Sequence, residues 1–202
     1  MATITYAQIK QLAADLAGWP PGKLPPGEVT RARRFAASEL ADLWTREAWP
    51  ELCDHLELVT LDAEKCFSVR EGVSGGTGVG EMGDILTILE GDPLTTTSVQ
   101  RVESWTRLDG RVHVLANAVA LYVDWQTPAP DLLATALDVE ATLDAYQIPA
   151  RFRLPLALRV AARLLADENP ASSNSYFREA EGELMKQTAR ITKPWWRNLG
   201  KI

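Results

Sequence analysis

Apolar and polar positions along the chain change period twice, from helical to alternating and back to helical. Ile9, Leu12, Ala13 and Leu16 recur at helical spacing. Thr5 precedes them with Gln8 three residues later, a capping-box pattern, and Gly18 closes the segment. Pro20-Pro21-Gly22 and Pro25-Pro26-Gly27 then form a stiff, turn-rich connection. A longer helix from about Glu28 to Arg46 places Val29, Ala32, Ala36, Leu40 and Leu43 on one face; Trp44 extends that face, and Trp49-Pro50 ends the element.

After that point the signal becomes short runs of β-formers between turn residues. The runs are Leu56 to Leu61, Lys65 to Arg70, Ile85 to Leu89, Val99 to Trp105, Arg111 to Leu115 and Val119 to Trp125. Asp109-Gly110 predicts a tight hairpin. Asp131 to Asp144 is ambiguous, because its leucines and alanines fit a helix while Pro128 and Pro130 favour an extended entry.

The helical period returns in a hairpin at the end of the chain. Pro155 suits the first position of a helix, which leaves Pro149 to Leu154 as an extended or kinked lead-in. Leu158, Ala161, Ala162 and Leu165 fall on one face, Arg159, Arg163 and Asp167 on the other. Leu156 lies on that charged face, exposed unless another subunit covers it, so Leu156, Arg159 and Arg163 are read as a subunit interface. Glu168 to Ser173 is a break containing a helix-stopping Pro170. The last helix, Tyr176 to Ile191, repeats Phe177, Ala180, Leu184 and Ile191, with acids early and bases late to complement the dipole. Gly182 within it costs roughly 1 kcal/mol against Ala, which predicts close packing there.

The fold class expected is therefore α+β. Residues 1–50 and 146–192 give a mainly helical bundle from both chain ends, 51–145 an antiparallel β-rich insertion, and 193–202 an extended C-terminal tail.

The 202 residues, 46% of them hydrophobic, suffice for a sizeable core without staples. A net charge of -6 and a pI near 5.0 argue against a general phosphate-neutralising, DNA-binding module. Cys53 and Cys66 lack metal-site spacing and read as reduced, buried thiols. The start of the chain has no basic region followed by an apolar core, so export is not expected. Arg159 and Arg163 interrupt the best apolar run, so no membrane span is expected either.

Candidate chemistry is thin. Gly78-Val79-Gly80-Glu81-Met82-Gly83 matches GxGxxG, but dinucleotide binding needs a helix to open there, and Asp84 to Ile88 reads as strand. Gly72-Val73-Ser74-Gly75-Gly76 matches GxSxG with Asp109 and His113 downstream, yet the following glycines cannot supply the helix a nucleophile elbow needs. His55 and His113 are isolated, and Arg31, Arg33 and Arg34 read as a solvated or subunit-contacting face. No cofactor, metal or catalytic residue is assigned. The tail differs: Trp195, Trp196, Arg197, Leu199 and Ile202 include the residue types that anchor interfaces, and they are read as partner-docking residues, with folding back onto the chain's own bundle as the alternative.

Three stretches together resemble the head-to-tail connector (adaptor) proteins of tailed bacteriophages. They are Ile4-Thr5-Tyr6-Ala7-Gln8-Ile9 with the helix to Trp44 and Trp49-Pro50, then Ala120 to Trp125 before Pro128, and finally Ile148-Pro149 with Leu156 to Leu165 and Tyr176 to Leu184. The Gly72 to Gly83 segment falls outside the resemblance. It implies a non-enzymatic virion protein of the neck, made in the host cytoplasm: a homo-oligomeric, dodecameric ring that docks beneath the portal protein and joins it to stopper or tail proteins. It also implies that DNA passes through the channel without sequence-specific binding, and that the C-terminal region reaches the portal. Rival expectations are another neck or tail component, such as a tail terminator, and a small cytoplasmic enzyme using the Gly-rich loop.

Overall fold

The computed structural model of the chain describes residues 3–20, 24–53, 55–69, 83–95, 98–130, 132–133 and 148–191. The protein is α+β, with helices and antiparallel sheets, and divides into two compact units. One unit comprises the chain up to Glu47 together with Ala129 to Ile191; the other comprises Ala48 to Pro128. The ambiguous Asp131 to Asp144 segment lies, but for Leu132 and Leu133, outside the described residues.

In the helical unit, strand β1 (Thr3–Ile4) pairs antiparallel with β9 (Ile148–Pro149), which brings the two segments of the unit together at their entry points. Helix α1 (Tyr6–Leu16) opens on the capping box: Gln8 N–H donates to Thr5 Oγ1 at 3.3 Å, and Thr5 N–H donates to Gln8 Oε1 at 3.1 Å. Gly18 follows the helix with φ +82°, a conformation that favours glycine. Helix α2 (Pro26–Thr45) starts earlier than its apolar pattern because Pro26 takes the first helical position. Ala32, Ala36, Leu40, Leu43 and Trp44 are buried as the period requires, but Arg33 and Glu39 are buried with them.

Helix α3 (Arg153–Leu165) is entered through a 3₁₀ turn at Ala150–Phe152, so Pro155 is third in the helix and not first. It is tolerated because no N–H of a first turn has an intrahelical partner. Every residue from Pro155 to Ala162 is buried, as are Leu164 and Leu165. The reason is that α3 packs against α1, α2 and a fourth helix, α4 (Pro170–Thr188). A helix covered on several sides has little solvent face to reserve for charge. Pro170 begins α4, where the sequence pattern makes it a stop. Asn169 is the N-cap, its side-chain oxygen accepting from Ser172 N–H at 3.1 Å. The close packing expected at Gly182 is also absent, since a Cβ there would meet nothing within 4 Å.

Among the described residues the β unit holds two sheets. The first contains β2 (His55–Thr60), β4 (Ile85–Glu90), β5 (Gln100–Arg101) and β8 (Ala120–Trp125), in the order β2-β8-β4-β5. The second contains β3 (Cys66–Ser68), β6 (Trp105–Leu108) and β7 (Arg111–Val114), in the order β3-β7-β6. Val59, Ile88, Leu121, Val123 and Trp125 from the first sheet and Phe67, Val112 and Val114 from the second form one buried apolar cluster. The expected strand Val99 to Trp105 is divided: β5 ends at Arg101 and β6 begins at Trp105. Asp109 and Gly110 join β6 to β7 with φ +50° and +75°, the positive pair that a type I′ hairpin requires.

Gly83 precedes β4 for a steric reason. A Cβ there would lie 2.3 Å from the carbonyl oxygen of Gln126 and 2.7 Å from the nitrogen of Pro128. Gly83→Ala is therefore expected to destabilise the β unit by about 2 kcal/mol or more, read as a lower urea midpoint. Gly182→Ala should do the opposite, stabilising the helical unit by roughly 0.5–1 kcal/mol. Equal midpoints for wild type and both variants would contradict this assignment of the two glycines.

Candidate functional site

Of the three residues expected at a subunit interface, Leu156 and Arg159 are enclosed within the helical unit. Leu156 is 0% exposed within its own chain, so no side chain is left for another subunit to cover there. This overturns the exposed placement. A helical wheel puts Leu156 beside Arg159, and that side of α3 is covered by neighbouring helices. Arg163 alone keeps about half its side chain, 51%, in solvent.

Arg159 is the hub of an ion cluster. Its Nη1 donates to Glu39 Oε2 of α2 at 2.9 Å and also meets Asp42, while its Nη2 meets Glu181 of α4. Arg163, one turn further along α3, donates from Nε to the other oxygen of Glu39 at 2.8 Å and lies over the Phe177 ring at 5.3 Å. Arg46, just past α2, donates from Nη1 to Glu181 Oε1 at 2.9 Å and pairs with its second oxygen. The cations Arg46, Arg159 and Arg163 thus balance the anions Glu39, Asp42 and Glu181.

Electrostatics follow from those contacts. Hydrogen bonding from Arg46 holds the Glu181 carboxyl at about 2, against an ordinary 4.5, with Arg159 adding to the effect and burial opposing it. Burial acts on Arg159 to lower its pKa, but hydrogen bonds to Asp42 and Glu181 outweigh it and the guanidinium is held more firmly charged. Each acid of the array is engaged by a guanidinium, an arrangement that fixes helix positions and does not suit proton transfer.

The basic run on α2 is dispersed. Arg31 pairs with Glu28 at 3.0 Å, Arg33 is buried with its Nε donating to Leu132 O at 2.6 Å, and Arg34 is exposed. These three do not make one face.

A second cluster, in the β unit, has no signature in sequence spacing. The β3–β7 register sets Cys66 opposite His113, with Sγ 2.8 Å from Nδ1. Ligand atoms of Asp62, Glu64 and Cys66 lie within 4.8 Å of one another. The carboxylates are already engaged: Arg111 donates to Glu64 at 3.1 Å and pairs with Asp62, which also accepts from Cys66 N–H and Glu64 N–H at 2.9 Å each. The backbone bond from Cys66 is the main reason the Asp62 carboxyl is held below its usual range. Burial pushes the Cys66 thiol up, toward its protonated and unreactive form. The group reads as a turn locked onto a strand.

The remaining sequence candidates separate. Asp109 sits in the hairpin turn, and Gly83 leads into strand β4. Ser74, Gly78, Gly80, the His55 side chain and the tail residues Trp195, Trp196, Arg197, Leu199 and Ile202 lie outside the described residues. Exposed large apolar side chains of the β unit include Leu58, Leu94, Trp105, Leu108, Leu115 and Val119. Every residue of β6 is exposed. No protein-family model and no curated protein sequence matches the chain.

Removing Arg159 unpairs Asp42 and leaves buried Glu39 with Arg163 alone. Arg159→Ala is therefore expected to cost about 3–5 kcal/mol, as for other broken buried pairs. Chemical denaturation checks this, and a loss below about 1 kcal/mol would contradict the buried hub. Because the Glu181 pKa is depressed by folding, its contribution is complete above pH 4.5 and drains as pH falls toward about 2. Glu181→Gln should flatten the pH dependence of unfolding in that window.

Proposed function

We propose that the chain is a structural virion protein of a tailed phage: a ring-forming head-to-tail connector that docks beneath the portal and links it to the stopper or tail around the DNA path. In this reading the helices from both ends of the chain form one bundle. The β-rich unit is an insertion within it, and residues 193–202 are an extended tail that reaches the portal. The ring belongs to the neck of the particle and is assembled from chains made in the host cytoplasm.

The observation that carries the reading is the α3–α4 hairpin, with α3 buried from Pro155 to Ala162 and built from stretches that bear the family resemblance. Charge supports it as well. With a net of -6, a ring of such chains presents DNA with a wall that repels phosphate on balance, which suits passage better than retention. The enzymatic alternative draws no support from the described candidates, since Gly83 is needed for backbone approach and His113 faces a buried thiol.

Portal docking is assigned to Trp195, Trp196, Arg197, Leu199 and Ile202, because each Trp buried at the centre of an interface contributes on the order of 2 kcal/mol or more. Deleting Pro194 to Ile202 is expected to leave a soluble protein of unchanged helix content that no longer co-sediments with portal-containing heads. Undiminished attachment of the truncated protein would remove the tail from the docking role. Failure of the full-length chain to attach would remove the connector reading itself.

A further inference from the structure

The open end of the α3–α4 hairpin gathers exposed cations. Gln187, in the last turn of α4, donates from Nε2 to Arg151 O at 3.1 Å, so the entry to α3 and the exit from α4 lie side by side. Arg153 opens α3, Lys186 lies in the last turn of α4 and Arg190 two residues past its end; all three are exposed. Lys186 takes up Glu183 at 2.6 Å, and Glu47 lines a cavity of about 210 Å³ with Arg46, Met185 and Thr188. Arg153 and Arg190 have no ion pair among the described residues.

The helix dipole accounts for only part of this arrangement. Cations suit the last turn of a helix, so Lys186 and Arg190 stabilise α4 whatever else they do. The dipole speaks against Arg153, which stands at the positive end of α3 in a first turn that holds no acid. An exposed, unpaired cation in that position gains an anion only from outside the described residues. Leu154 beside it and Met185 on α4 are 38% and 67% exposed, so the same end also shows apolar area.

The sequence continues the pattern. From Glu183 to Ile202 it holds five cations and one acid, in a chain whose net charge is -6. Tail and hairpin end carry the same sign, so charge does not draw one onto the other. We propose that Arg153, Lys186 and Arg190 form a cationic patch at the root of the tail that docks against an acidic protein surface, on the portal in the reading above. The inference rests on that reading and deepens it by naming the chemistry of the partner's face: carboxylates for the patch and apolar pockets for Leu154 and Met185. Duplex DNA attracts cations too, but apolar side chains standing among them gain nothing at a phosphate backbone. At a protein interface they do, and Met and Arg are enriched there.

Exposed ion pairs add little to affinity. What a patch of like charge supplies is steering, since complementary potentials raise the rate of encounter by about tenfold or more at low salt. The rest of the chain is acidic on balance, so an acidic partner attracts this end and repels the others.

The test measures how fast the fluorescently labelled full chain attaches to portal-bearing heads emptied of DNA, at salt from about 50 to about 500 mM. Wild type should slow about tenfold or more across that range. The triple variant Arg153→Gln, Lys186→Gln, Arg190→Gln should be slow already at low salt and nearly insensitive to salt, with circular dichroism establishing that it is folded. A charge-preserving variant, Arg153→Lys, Lys186→Arg, Arg190→Lys, should attach at the wild-type rate. A triple Gln variant as fast as wild type at every salt, or a charge-preserving variant as slow as the triple Gln one, would overturn the acidic-partner inference and leave the connector reading standing. So would a defect confined to DNA-filled heads, which assigns the cations to DNA. A wild-type chain that attaches to neither kind of head would overturn both.

Discussion

The contact of Arg159 with Glu39 is the constraint on which the helical unit depends. A guanidinium in the middle of α3 can be buried only if acids arrive from the neighbouring helices, and Glu39 and Asp42 of α2 and Glu181 of α4 do so. Their geometry fixes the rotation of three helices at once, where apolar packing alone tolerates several. Arg163 and Arg46 complete the charge balance from the rim. With both terminal nitrogens of Arg159 paired to acids, Leu156, Ala157, Leu158, Ala161 and Ala162 are enclosed around it.

The β unit solves a different problem. Among the described residues its two sheets bury one apolar cluster between them, while Leu58 of β2 and Trp105 and Leu108 of β6 stand exposed.

Local signals are the legible ones. The capping box of Thr5 and Gln8 and the Asp109-Gly110 turn depend on residues close in sequence, and both form as their chemistry requires. Strand positions are legible because β-formers cluster between turn residues, although the exposed Trp105–Leu108 segment has no buried alternation to mark it and merges with the preceding run. What depends on neighbours is not legible. A helical wheel divides α3 into two faces, but three other helices cover it, so Leu156 and Arg159 are enclosed. Pro170 reads as a stop or a start depending only on which side the helix lies. The meeting of Cys66 with His113 is a matter of strand register, which no spacing along the chain encodes.

Electron cryomicroscopy of the neck of particles whose genome encodes this chain is the most direct test of the proposed role. The expected result is a closed ring of copies directly beneath the portal, with α3 enclosed inside each subunit. The tryptophans of the tail would sit against the portal. A neck that lacks this chain, or a ring whose subunits meet through Leu156 and the surface of α3, would contradict it.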